Sequence, residues 1–284
     1  DARARSQRAH KSTGQRSCAA VSVGVGLMLR FSANLGFLWT DYSLPDAIRA
    51  AYDAGFNAVE CHFPYAESID DVSRALDETG LQMLGLNTIK GPLGAGLAAL
   101  PEDVTAARRA IDQAIDYAEA IACPRVHVMA GQIEGKLAEA TYLDNLRYAS
   151  DQASKRDLTI LIEPLNPFDM PGYFLRDTSH ALAIIDGLNR DNIALMFDCY
   201  HVGRTEGDIL SRFEACRHHI GHIQFAAVPD RGPPHTGTVD YAQIFADFEK
   251  AGWIEPLGAE YRVDGSTDAT LDWLTAYRAE HRDS

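Results

Sequence analysis

The chain is 284 residues long, 46% apolar and 23% charged, which is long enough to bury one large core and too hydrophobic for a disordered chain. Its formal charge of -14 argues against a protein whose main task is to hold nucleic acid or an anionic membrane surface, since both call for a basic face; a small anionic substrate, met by a local cation, remains compatible with it. Five cysteines, at 18, 61, 123, 199 and 216, are odd in number and widely spaced, which suits a reduced, cytoplasmic setting, and no apolar run approaches the roughly eighteen residues that cross a bilayer.

Residues 1–16 are basic and polar, and residues 17–29 are rich in Ala, Val and Gly. A processing segment has this look and so does a flexible extension. The extension is preferred, over residues 1–28, with one catalytic domain over 29–284. Alternation over residues 29–35 predicts a first strand. Ser43-Leu44-Pro45-Asp46 then predicts a helix start, because the serine can cap it, the proline fits its first turn and the acid suits its positive end; that helix stops at Gly55. Strand two follows at 56–62, a helix at 66–79 closed by Gly80, and strand three at 81–87. The glycine-rich loop 91–96 lacks the Gly-x-x-x-x-Gly-Lys-Ser/Thr phosphate pattern and is expected to be a lid or a plain connection. A helix at 101–120, a strand at 125–129 and a helix at 137–155 come next.

Two strand-like runs are then the most informative part of the chain. Residues 158–162 stop at Glu163-Pro164, residues 193–197 stop at Asp198, and a helical period over 178–188 lies between them. A helix at 206–217, a strand at 222–225, a helix at 240–251 stopped by Gly252, a strand at 257–260 and a helix at 268–280 complete the chain. Eight strands alternate with eight helices, no Gly-x-Gly-x-x-Gly follows the first strand, and the unit is near the ~30 residues of a β/α repeat. The expected fold is therefore α/β, a single-domain (β/α)8 TIM barrel.

The C-terminal rim of such a barrel would carry Asn34, Glu60, His62, Asn87, His127, Glu163, Asp198, His201, Gln224 and Glu260. A packed interior has no use for so many polar groups unless they answer one another or a ligand. Glu163, Asp198, Gln224 and Glu260, from strands five to eight, offer three carboxylates and an amide oxygen, a set that suits Mg2+ or Mn2+ better than structural zinc. A salt-linked network is the other reading, but these segments hold almost no basic partner: Arg262 follows Glu260 by two and Arg231 lies in the loop 228–237. Carboxylates alone would repel and take up protons, so a divalent ion is the preferred neutraliser. Asn87, His62, His127 and His201 are candidates to touch a substrate. Arg231 could grip a substrate carboxylate with two hydrogen bonds, or simply pair with Asp230 or Asp240. Cys61, Cys123 and Cys199 read as small core residues, and His218-His219 as surface groups.

Several motifs together resemble the hydroxypyruvate isomerases and their relatives among xylose isomerase-like barrels, over residues 29–274. They are Phe63-Pro64-Tyr65, Val126-His127-Val128-Met129-Ala130-Gly131, Glu163-Pro164-Leu165-Asn166, Pro171-Gly172-Tyr173-Phe174-Leu175, Phe197-Asp198-Cys199-Tyr200-His201, Glu206-Gly207-Asp208, Gly221-His222-Ile223-Gln224 and Gly258-Ala259-Glu260-Tyr261. The resemblance implies that Glu163, Asp198, Gln224 and Glu260 hold a divalent metal, that Glu163 and Glu260 are also the acid/base pair, and that His201 and Arg231 face the substrate with His62 nearby. Two departures from the family pattern, Gly232-Pro233-Pro234 after Arg231 and Gly203 where a Gln is usual, are expected to border the pocket and to shift the substrate away from hydroxypyruvate.

The reaction implied is isomerisation of a short hydroxy-oxo acid, such as hydroxypyruvate to tartronate semialdehyde, by proton transfer through an enediolate; a metal-directed hydride shift stays open. The alternatives are a 2-oxo-tetronate isomerase or ketose 3-epimerase on the same site, an abasic-DNA endonuclease, which would want a basic rim, and a non-catalytic metabolite-binding barrel. No nicotinamide or flavin fingerprint is present. No partner beyond the substrate is implied, neither nucleic acid nor membrane, and a homo-oligomer is left open.

Overall fold

The computed structural model describes residues 28–281 apart from residue 92, so the extension assigned to 1–28 lies outside the described residues but for Met28, as do 282–284 at the other end. Eight parallel strands run in the order β2-β1-β8-β7-β6-β5-β4-β3. They are β1 (Phe31–Asn34), β2 (Ala58–Glu60), β3 (Leu86–Asn87), β4 (Arg125–His127), β5 (Thr159–Ile162), β6 (Ile193–Asp198), β7 (Ile220–Phe225) and β8 (Leu257–Ala259). The remaining seam joins β2 to the segment leading into β3. There Val59 N–H donates to Gln82 O (3.0 Å), Leu84 N–H to Val59 O (2.7 Å) and Cys61 N–H to Gly85 O (3.1 Å), so the barrel closes.

Nine α-helices are found among the described residues: α1 (Leu44–Asp53), α2 (Ile69–Thr79), α3 (Val104–Ala120), α4 (Lys136–Ala153), α5 (Thr178–Leu188), α6 (Cys199–Thr205), α7 (Ile209–Cys216), α8 (Tyr241–Lys250) and α9 (Asp272–Glu280). Ser43 caps α1 as its sequence predicts, and Gly80 closes α2 in the left-handed conformation at φ 68°. The expectation of eight helices fails at one place. The stretch after β6 does not wait until residue 206 to become helical; Asp198 accepts from Tyr200 N–H and starts the short helix α6 at once, and α7 begins only at Ile209 behind its own cap, Asp208. The reason is local: the carboxylate that ends the strand is also a helix N-cap, a second role that strand periodicity does not reveal.

Strand alternation sorts side chains into two layers. Ile160, Ile162, Leu195, Phe197, Ile223, Phe225, Leu257 and Ala259 point outward into the continuous apolar core between sheet and helices. The alternate residues Ser32, Asn34, His222 and Gln224 are polar, buried and face the barrel axis. One irregularity sets this phase on β7: Leu195 pairs with Ile220 but Met196 with His222, so Gly221 is an extra residue, a bulge that has no room for a Cβ because Ala194 and Leu161 would lie 2.7 and 3.0 Å away.

Candidate functional site

Glu163 follows β5 directly, Asp198 ends β6, Gln224 lies near the end of β7 and Glu260 follows β8, so the four acid and amide groups reach the same, C-terminal, mouth. All four are buried, as are Glu60, His127 and His201. Glu163, Asp198 and His201 each present a donor atom, and the three atoms lie within 4.8 Å of one another. Glu163 and Glu260 also line one cavity of about 140 Å³, together with His62, Asn87, His127, His201 and Arg231. Larger hollows of about 660 and 400 Å³ lie on the helical surface around α7, α8 and α9, away from these groups.

The surroundings of each group follow from the loop that carries it. Asp198 spends one oxygen as the cap of α6, accepting Tyr200 N–H at 2.8 Å, which leaves Oδ2 buried and without a hydrogen-bond partner. The same helix holds His201 one turn on, and its Nδ1 accepts from Asn166 N–H at 2.9 Å. The proton therefore sits on Nε2, which faces Asp198 Oδ2 at 3.6 Å and Glu163 Oε1 at 3.8 Å. As a donor, His201 is suited to hand a hydrogen bond to an oxygen and unsuited to ligate an ion through that nitrogen. Glu163 has His127 Nδ1 at 3.4 Å on one oxygen, and its other oxygen is buried and unbonded.

Glu260 is gripped instead. Its Oε1 accepts from Asn34 Nδ2 and His62 Nε2, both at 2.9 Å, and from Gln224 Nε2 at 3.3 Å, while Oε2 accepts from Arg231. Arg231 reaches in from the loop after β7, its backbone in the left-handed region at φ 57° and pinned by a bond from its N–H to Ala227 O (2.8 Å) and from Arg262 N–H to its carbonyl (2.6 Å). Its guanidinium lies between the rings of Phe37 and Tyr200, at 4.6 and 5.0 Å from their centroids. Burial opposes charge on Glu260, yet Arg231 and His62 overcome it and hold the carboxyl down at about 2. Burial pushes Glu163 well above the usual carboxylate range, reinforced by the charges of Glu260 and Asp198, and raises Asp198 to about 7 for the same reasons. Burial likewise keeps His127 and His201 neutral, lowered to about 3.

Three sequence expectations change here. The carboxylates do have a basic partner: Arg231 pairs with Glu260, with Asp198 Oδ2 at 3.8 Å, rather than with Asp230 or Asp240, because the loop folds back over the barrel mouth. Residue His62 is tied to Glu260 before it is free for anything else. Neither Gly203 nor residues 232–234 line the cavity; a Cβ at Gly203 would meet Val228 Cγ2 at 2.9 Å and Ile209 Cδ1 at 3.3 Å, so this position faces packing and a Gln there would have to push these side chains aside.

Further groups join the site. Asp169 accepts from Tyr200 Oη (2.7 Å) and Asn166 Nδ2 (3.2 Å) and lies 4.0 Å from Arg231; Lys90 and Phe37 line the cavity. Asp169 and Lys90 lie on irregular loops, where no period marks them. His222 was legible, being two residues before Gln224 on one strand face.

A family model described as Xylose isomerase-like TIM barrel matches residues 48–280. The chain is 38% identical over 257 residues to the 2-oxo-tetronate isomerase of Cupriavidus necator, covering 88% of this chain and 99% of that one. It is 34% identical over 258 residues to the hydroxypyruvate isomerase of Escherichia coli (strain K12), covering 88% and 100%. A crystal structure described as an AP endonuclease, family 2, from Brucella melitensis superposes with a TM-score of 0.84 at 34% identity, covering 88% of this chain and 99% of that chain.

Proposed function

The chain belongs to the xylose isomerase-like TIM-barrel family and is an isomerase of its hydroxypyruvate isomerase branch; we propose that it interconverts short hydroxy-oxo acids, hydroxypyruvate or a 2-oxo-tetronate, by proton transfer between adjacent carbons with a divalent cation in the site. The single observation that carries the reading is that Glu163 and Glu260, in opposite electrostatic surroundings, line one cavity at the barrel mouth.

The donor chemistry fits a hard divalent ion. Glu163 Oε1, Asp198 Oδ2 and Gln224 Oε1 are buried oxygens with no hydrogen-bond partner, a costly arrangement unless something answers them. Glu163, Asp198, Gln224 and Glu260 would hold the ion, Mg2+ or Mn2+. When bound, it supplies Lewis-acid stabilisation of negative charge growing on substrate oxygens. The protein's own groups do the rest. One of Glu163 and Glu260 removes a proton from the carbon beside the carbonyl, and the same or the opposite carboxyl returns a proton to the neighbouring carbon. His201 donates from Nε2 to a substrate oxygen, its tautomer set by Asn166. Arg231, held by its two aromatic neighbours, faces the same space as a cation.

The test is to mix the purified protein with Mg2+ or Mn2+ and hydroxypyruvate, 2-oxo-tetronates or free ketoses in D2O and follow exchange at the substrate carbons by NMR. Exchange beside a carboxylate-bearing ketone is expected, reduced about 10²- to 10⁴-fold in Glu163→Gln and in Glu260→Gln. Exchange only with neutral ketoses would instead favour a 3-epimerase, bound ligand without exchange a non-catalytic barrel, and undiminished turnover in both variants would remove these residues from the chemistry.

A further inference from the structure

Against Gln224 of the cation site lies a buried cluster, Glu60, His222 and Ser32, that the mechanism does not use. Glu60, at the end of β2, sends its carboxylate across the barrel axis to β7. Its Oε2 accepts from His222 Nε2 at 2.8 Å and from Gln224 Nε2 at 3.0 Å, and its Oε1 accepts from Ser32 Oγ at 3.3 Å. All four residues are buried. The path of the side chain is cleared by Gly258 on β8, where a Cβ would stand 2.0 Å from Glu60 Oε1 and 2.9 Å from Gln224 Cγ. A glycine within a strand marks a close approach of this kind.

The cluster bears on which end of the Gln224 amide meets the site. An amide has one donating and one accepting end, and both ends occupy nearly the same space. Here the nitrogen meets two carboxylate oxygens, Glu60 Oε2 at 3.0 Å and Glu260 Oε1 at 3.3 Å, so a flipped amide would set its oxygen against both. With the nitrogen so committed, Gln224 Oε1 is left buried with no hydrogen-bond partner. The same geometry accounts for an amide at this position: a carboxylate at 224 would confront Glu60 with nothing between them to donate.

We propose that Glu60, backed by His222 and Ser32 and accommodated by Gly258, is a positioning residue that locks the Gln224 amide so that its oxygen is presented to a divalent cation. The inference rests on reading Glu163, Asp198, Gln224 and Glu260 as the cation site. Groups that orient metal ligands typically change affinity about 10- to 100-fold when removed.

Mn2+ affinity of the full chain, measured by electron paramagnetic resonance of free Mn2+, tests it without turnover, beside the thermal midpoint of each metal-free variant. Glu60→Asp keeps the charge and shortens the reach by one methylene; Gly258→Ala keeps Glu60 and displaces its carboxylate. Both are expected to bind Mn2+ about 10- to 100-fold more weakly. Parent-like affinity in either folded variant is decisive by itself, whereas weakening is read from Glu60→Asp, since the methyl of Gly258→Ala also meets Gln224 Cγ at 2.9 Å. Parent-like affinity in a folded Glu60→Asp or Gly258→Ala protein, with Gln224→Ala weakened, would overturn the inference while leaving the cation site in place. A parent protein that binds no Mn2+ would remove the cation site itself, and this inference with it.

Discussion

Glu260 collects donors on both oxygens, Asn34, His62 and Gln224 on one and Arg231 on the other, whereas Glu163 has His127 at 3.4 Å and one oxygen unbonded. That asymmetry separates two carboxyls of the same residue type and gives a pair able to take and return a proton. The strand-end positions were legible from the sequence because period-two runs stop at them; the asymmetry was not, since it comes from Arg231, brought in by a loop with no period. Arg231 being engaged, the cation facing the cavity without an ion-pair partner among the described residues is Lys90, its ammonium 4.9 Å above the Phe63 ring. Lys90→Met should raise KM for 2-oxo acids about tenfold, the cost of one charge-assisted hydrogen bond, with kcat little changed. Steady-state kinetics with an acid and a neutral ketose decide it: an equal effect on both would show that Lys90 does not read the carboxylate.

At the scale of elements, the strands present their polar column to the axis because alternation and the bulge at Gly221 put His222 and Gln224 there together. The helices obey packing more than function. At Gly203 on α6, a Gln side chain would press on Val228 and Ile209. Overpacking of this kind costs about 1–3 kcal/mol and replacing a helical glycine recovers up to about 1, so Gly203→Gln should lose about 1 kcal/mol in urea unfolding with the cation site unaffected. On α5, burial against Phe174 pushes His180 below its ordinary value. The unfolded chain then binds that proton more readily than the folded one. Stability from this group is present above the usual His range near ~6.5 and is lost as the pH falls through it. Thermal midpoints of His180→Gln should therefore fall less steeply between about pH 7 and 5 than those of the parent; parallel curves would count against it.

For the molecule as a whole, the dominant fact is buried negative charge held by few cations. If a divalent ion is the neutraliser, it binds only the folded chain, and Mn2+ at about 100 times its Kd should add about 2.7 kcal/mol of stability, read as a thermal midpoint that rises with Mn2+ and is reversed by EDTA. A midpoint indifferent to both would leave Arg231 as the main compensation. The overall charge of -14 speaks against the nuclease name carried by one structural relative. Duplex DNA containing an abasic site should be neither retained nor cut at about 0.15 M salt, as gel mobility and cleavage assays would show.

The sequence by itself determined the barrel, because eight period-two runs alternating with capped amphipathic stretches admit few other arrangements, and it determined which residues stand at the strand ends, because alternation there is purely local. It could not determine who meets whom across the axis. That Glu60 crosses to His222 and Gln224, that Arg231 folds back onto Glu260, and that Gly258 is small to make way are consequences of closure: strand two lies far along the chain from strands seven and eight, the loop that carries Arg231 has no period, and only the completed barrel brings these side chains within hydrogen-bonding distance.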